Sequence, residues 1–416
     1  DAVENGAFSS VSSGVKFTVE TNAIKEQLVT SGVAAENITS LGKDPAPTAA
    51  ESFTKDGLYY KVLSQATEEQ PGTVQVGDGG YGSCEVSYGA AITIPETVEN
   101  EGLTYTVTAI AENTFSTTLG ASSPKSVIIP KTVTQIGANA FYECSSLENV
   151  TFAAGSALES IGANAFDSCS FLQAITLPDT VKTIGEKAFY NCKYLKDVTW
   201  STSLTSLEDG AFSGTKIETI TLPASLTKLN GRPFDNCASL KSVAVAADNA
   251  NYTSEDGVLF NKAKTTLLLY PAAKVAFEYD TPNGLLEIAD YAFANASLLE
   301  TVRINEGVEK VGSYVFQKAS ALETVEIADS VKSIGRLAFY NCNSLANVKL
   351  SASLTTLPSN LFYSCPMLET LTLPVGVRNI ESGIFGSCPS LNAITIEVTS
   401  PSLTVASGAF SSLDDT

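Results

Sequence analysis

The chain has 416 residues, 44% hydrophobic and 8% aromatic, and a formal charge of −20 from 25 basic and 45 acidic side chains. That balance argues against nucleic acid and anionic membrane surfaces as partners, since both require a positive footprint. Histidine is absent, which removes the commonest general base, the usual metal ligand and any Ser–His or Cys–His nucleophile pair; nothing in the sequence points to a cofactor.

No run of about 18 apolar residues is available to span a membrane. No signal peptide is visible, as in a mature form from which one has been removed. In residues 1–51, Val15 to Val19 alternates like a short strand with Val15, Phe17 and Val19 on one face, and Ala23 to Thr30 has helical character. Lys43 to Ala50 reads as a proline-bearing linker, and Val3, Ala7 and Phe8 have the spacing of a displaced repeat anchor. Residues 52–109 read as a β-rich cap, with short runs at Leu58–Leu63, Val74–Val76, Ala91–Ile94 and Tyr105–Val107. Such a cap covers an apolar layer that a stacked array would otherwise expose.

From Ile110 a repeat takes over. The stretch Val181 to Trp200, VKTIGEKAFYNCKYLKDVTW, returns at Val331 to Leu350 with 11 of 20 positions identical. An anchor phenylalanine recurs twelve times, from Phe115 to Phe410, mostly 22 to 26 residues apart. A repeat of this length is one unit that cannot bury its apolar face alone, so neighbours must stack. Within each unit Val-x-x-Ile-Gly comes first, then small-Phe, then Cys, then Leu-x-x-Val-x-Leu. The Val-x-Leu part alternates like a half-buried strand. The glycines at 137, 162, 185, 312 and 335 suit a turn needing positive φ or close backbone approach. The segment between Gly and Cys is too short for an independent helix, so a turn or a single helical turn is expected, with the phenylalanines stacked into a spine. One spacing of 59, from Phe234 to Phe293, marks an insertion near 246–285 that reads as a projecting β-hairpin over residues 257–271. It divides the anchors six and six.

The IGxxAFxxCxxLxxVxLP unit resembles the BspA-like leucine-rich repeats of bacterial and some protist surface proteins, over roughly residues 52 to 410. The insertion SEDGVLFNKAKTTLLLYP and the opening DGLYYKVL are also similar to segments of such arrays. The resemblance implies a right-handed leucine-rich-repeat superhelix of α/β type with short parallel strands over 110–416. It also implies a secreted or cell-surface location (the bacterial envelope) and a non-catalytic, adhesin-like role in binding a protein such as a host matrix protein. A glycan-binding accessory protein is the alternative. Oligomeric state stays open, and a fold-level likeness transfers no ligand.

Three sets of residues are candidates for a site. Seven of eight cysteines follow an anchor Phe by three residues, a place shared with Thr215, Ala296 and Ala319. A small buried thiol answers that pattern, with disulfides as the rival and metal binding poorer still. The residue between Val and Leu of each strand forms an outward ladder: Thr151, Thr176, Thr199, Thr221, Arg303, Glu326 and Lys349. That ladder is either solvated or a flat polar surface for a partner. Tyr142, Tyr190, Tyr340 and Tyr363 directly follow an anchor Phe, with Tyr194 nearby. Tyr suits contact surfaces because it joins a large apolar body to a polar tip. Acidic pairs at Glu255-Asp256 and Asp414-Asp415 lack a calcium-loop pattern. Sequons at Asn37, Asn149, Asn251 and Asn295 matter only in a glycosylating source.

Overall fold

The computed structural model describes residues 15–19, 25, 28–29, 33, 37–40, 51–80, 83–84, 89–117, 123–397 and 403–410. From residue 51 onward the described chain is strands and turns, with no helix. The expected superhelix of short parallel strands is present, and of the turn or single helical turn expected between Gly and Cys it is the turn that forms. The physical reason lies in the Phe turn, where two residues of left-handed backbone bracket the ring and no helical turn fits between them.

Successive coils are joined at three places. The residues just before the repeat glycine form two-residue strands, such as Gln135–Ile136, Ser160–Ile161 and Thr183–Ile184, which pair in parallel coil upon coil. Sequence alternation cannot reveal a strand this short, and this first ladder was not anticipated. The Val-x-Leu segments form the second ladder, for example Ala174–Thr176 on Asp197–Thr199 and Thr301–Ile304 on Thr324–Ile327. The third joint is the Phe turn, where the Phe141 N–H donates to Ala165 O at 2.7 Å and Phe189 N–H to Ala211 O at 2.7 Å.

The glycine of Ile-Gly is required by proximity rather than by positive φ. A Cβ on Gly185 would lie 2.6 Å from Ala163 N, and one on Gly335 would lie 2.3 Å from Ser313 N. Positive φ occurs instead two residues before the anchor (Asn139, Asn164, Lys187) and two after it (Glu143, Ser168, Asn191).

Between the ladders the anchors stack as expected. Phe141 and Phe166 lie 5.1 Å apart at 3°, Phe339 and Phe362 5.0 Å apart at 2°, and Trp200 meets Phe212 edge-on at 5.0 Å. All eight cysteines are free and buried. Their column has a reason beyond size, because each of the seven repeat thiols points at the carbonyl of the preceding coil's anchor. Cys169 Sγ donates to Phe141 O at 3.2 Å and Cys365 Sγ to Phe339 O at 3.1 Å. Phe141 O and Phe339 O also accept from the backbone N–H of Cys144 and Cys342, so the thiol supplies the second partner of each carbonyl and alanine would remove that one.

The insertion does not project. Tyr252–Glu255, Val258–Asn261 and Thr266–Leu269 form an antiparallel meander, and the last strand continues the first ladder by pairing in parallel with Glu287–Ile288. Its apolar residues Val258, Leu259, Phe260 and Leu267 are buried, which is why it lies in the array. Tyr270 occupies an anchor place, its N–H donating to Ala292 O and its ring 5.0 Å from Phe293. The core divides here, one cluster ending at Leu259 and the next beginning at Val258.

At the other end, Ser52–Lys55, Leu58–Ser64 and Gly72–Val76 extend the first ladder antiparallel to one another, beside Leu103–Ile110. Phe53 packs on the buried rings of Tyr60 and Tyr105 at 5.4 and 5.6 Å. Near the start of the chain, Phe17–Val19 pairs with Ile38–Ser40, and Phe17 and Val19 rest on Leu28, Val33 and Ile38. Val15 is exposed and does not join them. Residues 43–50 and Val3, Ala7, Phe8, Asp414 and Asp415 lie outside the described residues.

Candidate functional site

The outward residues of the second ladder form the ladder read from the sequence. Thr176 stands opposite Thr199, Thr221 opposite Ala244, Thr151 opposite Ile128, and Glu326 between Arg303 and Lys349. Arg303 turns to the preceding strand, donating to Glu278 at 2.8 Å and Asp280 at 3.2 Å. Both carboxylates are largely exposed, so solvent screens the contacts and they add little to stability. Glu326 and Lys349 line a shallow depression of about 370 Å³ with Asn347 and Thr372. It is polar, open and without a convergent set of groups.

The tyrosines are arranged differently from their positions along the chain. Tyr142 and Tyr190 share a slot but are separated by the coil of Asp167, and the structure does not bring them together. Tyr194 is exposed and forms a separate patch with Phe171, 5.9 Å away, and with the Lys216 ammonium 4.8 Å from its ring. Tyr340 and Tyr363, 5.7 Å apart, belong to a continuous row in the second block that begins at Tyr291. Tyr291 and Tyr314 stack at 4.7 Å and 3°, and Tyr314 meets Tyr340 edge-on at 6.4 Å. With Gln317, Leu337 and Asn360 the four rings line an open depression of about 480 Å³.

Tyr291 and Tyr314 were missed because only the position after the anchor was followed; they stand two residues before it. Their backbones are left-handed, φ 60° and 56°, as is that of Leu337 at 55°. The recurrence of Asn139, Asn164, Gly210, Asn360, Gly383 and Gly408 in this slot was the available signal, since these residues tolerate that conformation. The Arg232 guanidinium sits 3.8 Å from the Tyr291 ring centroid, so the two faces of that ring meet Arg232 and Tyr314. Burial pushes the Tyr291 phenol above its ordinary value, and Arg232 opposes the shift. The Tyr291 hydroxyl therefore keeps its proton at neutral pH.

Among the described residues no group of three His, Cys, Asp or Glu side chains is placed to hold a metal ion, and no helix is long and apolar enough to cross a membrane. The described coils form a stack of near-identical repeats, with a row of half-buried to exposed tyrosines along the second block. The chain belongs to the BspA type leucine-rich repeat family, whose pattern matches in six copies over residues 108–241 and 286–414. The pneumococcal vaccine antigen PcpA is similar at 33% identity and a TM-score of 0.81, over 86% of this chain and 90% of that one. A leucine rich cell surface protein from Faecalibacterium prausnitzii is similar at 25% identity and a TM-score of 0.61, over 87% of this chain and all of that one. A leucine-rich repeat protein from Bacteroides ovatus follows at 25% identity and 0.54, over 85% and 90%. No curated protein sequence matches the chain.

Proposed function

We propose that the protein is a non-catalytic binding protein of the cell surface or secreted space, adhesin-like, whose second block holds an extracellular protein such as a host matrix protein through the row Tyr291, Tyr314, Tyr340 and Tyr363. The observation that carries this reading is the left-handed backbone of Tyr291 and Tyr314. A bulky residue there costs roughly 1–2 kcal/mol that Asn or Gly, found in the same slot of other coils, avoids. Lys187 bears the same cost in the first block, so it is the strain together with the stacking of these rings into one row that favours a contact surface. Tyrosine edges and hydroxyls fit a protein partner, to which they offer apolar area and hydrogen bonds together. Glycan recognition through ring faces has less support, because both faces of Tyr291 are covered. The charge of −20 favours a basic protein partner over nucleic acid. The surface location is supported by the Faecalibacterium relative, a leucine rich cell surface protein.

Binding of the purified chain to a panel of matrix proteins, read by surface plasmon resonance, tests the proposal. Tyr314→Asn combined with Tyr340→Ala should weaken a saturable interaction by at least about tenfold. Tyr314→Asn alone should leave stability within about 1 kcal/mol, because relief of the left-handed strain offsets the lost ring contact. Absence of saturable binding at micromolar concentrations, or undiminished binding by the double variant, overturns it.

A further inference from the structure

The column of rings is interrupted once. Phe212 and Phe234 are 6.1 Å apart, and Tyr270 and Phe293 are 5.0 Å apart. Among the described residues no ring contact joins Phe234 to Tyr270, and the core divides at the same level. The space between them is a cavity of about 200 Å³. Its walls are Leu229, Phe234 and Leu240 from the first block and Leu259, Leu268 and Leu269 from the meander, with Ala272 and Ala294 on the far side. Elsewhere in the array each layer is filled by the next anchor ring.

Of the polar groups on the lining residues, Arg232, Asp235 and the Tyr252 hydroxyl already have partners, whereas the buried Tyr270 hydroxyl has none. Arg232 pairs with Asp235 at 3.1 Å and lies on Tyr291. The Tyr252 hydroxyl accepts from Leu229 N–H at 3.0 Å and donates to Thr227 O at 3.3 Å. An ionic ligand would compete with a satisfied ion pair and gain little. An apolar ligand would meet aliphatic walls and the exposed side of an incomplete ring stack. Apolar cavities of comparable size stay dry and take up single aromatic rings.

We propose that this interblock cavity is a binding site for a small uncharged aromatic molecule of one or two rings, which completes the column between Phe234 and Tyr270. The site shares Tyr291 with the tyrosine row, but its test does not depend on the protein partner proposed for that row. Arg232 and Tyr291 cover its mouth, so entry requires the Arg232–Tyr291 contact to open.

Titration of the full chain with indole, followed by calorimetry, should give saturable one-to-one binding with a dissociation constant on the order of 100 µM. Cyclohexanol should bind at least about tenfold more weakly, because it cannot stack. Ala272→Phe and Ala294→Phe, which fill the cavity from its far side, should each weaken indole binding at least about tenfold while unfolding remains cooperative. Should neither variant fold, hydrogen exchange on the unmodified chain decides. Indole-dependent slowing confined to residues 229–240, 268–272 and 289–295 supports the site, and slowing elsewhere or none overturns it. No saturation by about 2 mM indole, equal affinity for cyclohexanol, or unchanged affinity in a folded filled variant also overturns it.

Discussion

Phe339→Ala should lower the free energy of unfolding by about 3–5 kcal/mol. The Phe339 ring is fully buried and lies between Phe316 at 5.4 Å and Phe362 at 5.0 Å, so truncation removes two stacked contacts and leaves a void. The void cannot collapse easily, because the Phe339 N–H is tied to Leu361 O at 3.0 Å on one side and both ladders fix its coil to the preceding one on the other. Phe410→Ala is the internal control. That ring is only half-buried, with its described stacking contact to Phe385 at 6.0 Å, and its loss should cost less than half as much. Urea denaturation measures both. Since the core divides at the insertion, the transition seen by the fluorescence of Trp200 in the first block should move less than the one seen by circular dichroism. A loss below about 1.5 kcal/mol for Phe339→Ala would mean that the column does not carry the stability assigned to it.

The second large effect concerns the thiols. Burial pushes Cys144 up to about 12 and Cys237 up to about 11, from an ordinary 9.0. For Cys144 the difference is 12 − 9, so its thiolate fraction at neutral pH falls roughly a thousandfold, before any loss of access is counted. Native protein at pH 8 should therefore expose fewer than one of its eight thiols to a disulfide reagent over an hour, and all eight in guanidinium. The same shift makes stability depend on pH. Folded Cys144 and Cys237 hold their protons more tightly than in the unfolded chain, so their contribution is complete below pH 9 and is lost as pH rises from there toward the folded values. A hydrogen bond from Cys365 lowers Cys388 and works the other way. Tyr60 and Tyr270, also raised by burial to about 12 from 10.0, add to the loss above pH 10. Rapid reaction of several thiols in folded protein, or an unchanged denaturation midpoint between pH 8 and 11, would contradict this account.

The parts of the fold legible in the chain were those that repeat with a visible period. The anchor spacing foretold the ring column, and the alternation around Ile175 and Val325 foretold the second ladder. The first ladder was hidden because Ser160–Ile161 and its equivalents are two residues long, too short to alternate. The meander at Tyr252 to Leu269 was read as a hairpin, correctly for its last two strands. Its place in the core depended on Leu267 meeting Ile288, a contact between residues 21 apart that no local pattern announces. In the tyrosine row, Tyr340 and Tyr363 were legible from their slot beside the anchor. Tyr291 and Tyr314 were not, because their place in the row follows from a left-handed backbone that only the recurring Asn and Gly in that slot betrayed.

The direction of the ladder hydrogen bonds has a mechanical consequence. They run from coil to coil, along the stacking axis, so tension applied along that axis opens the bonds of one coil before loading those of the next. A chain held at a surface and pulled in this way peels rather than shears. With handles placed on two coils of the second block, force spectroscopy should record a staircase of small, similar steps. Each step would release up to roughly 80 Å of chain, the length of 23 residues at about 3.6 Å each. A molecule that lengthens coil by coil yields gradually to flow while its remaining coils stay folded.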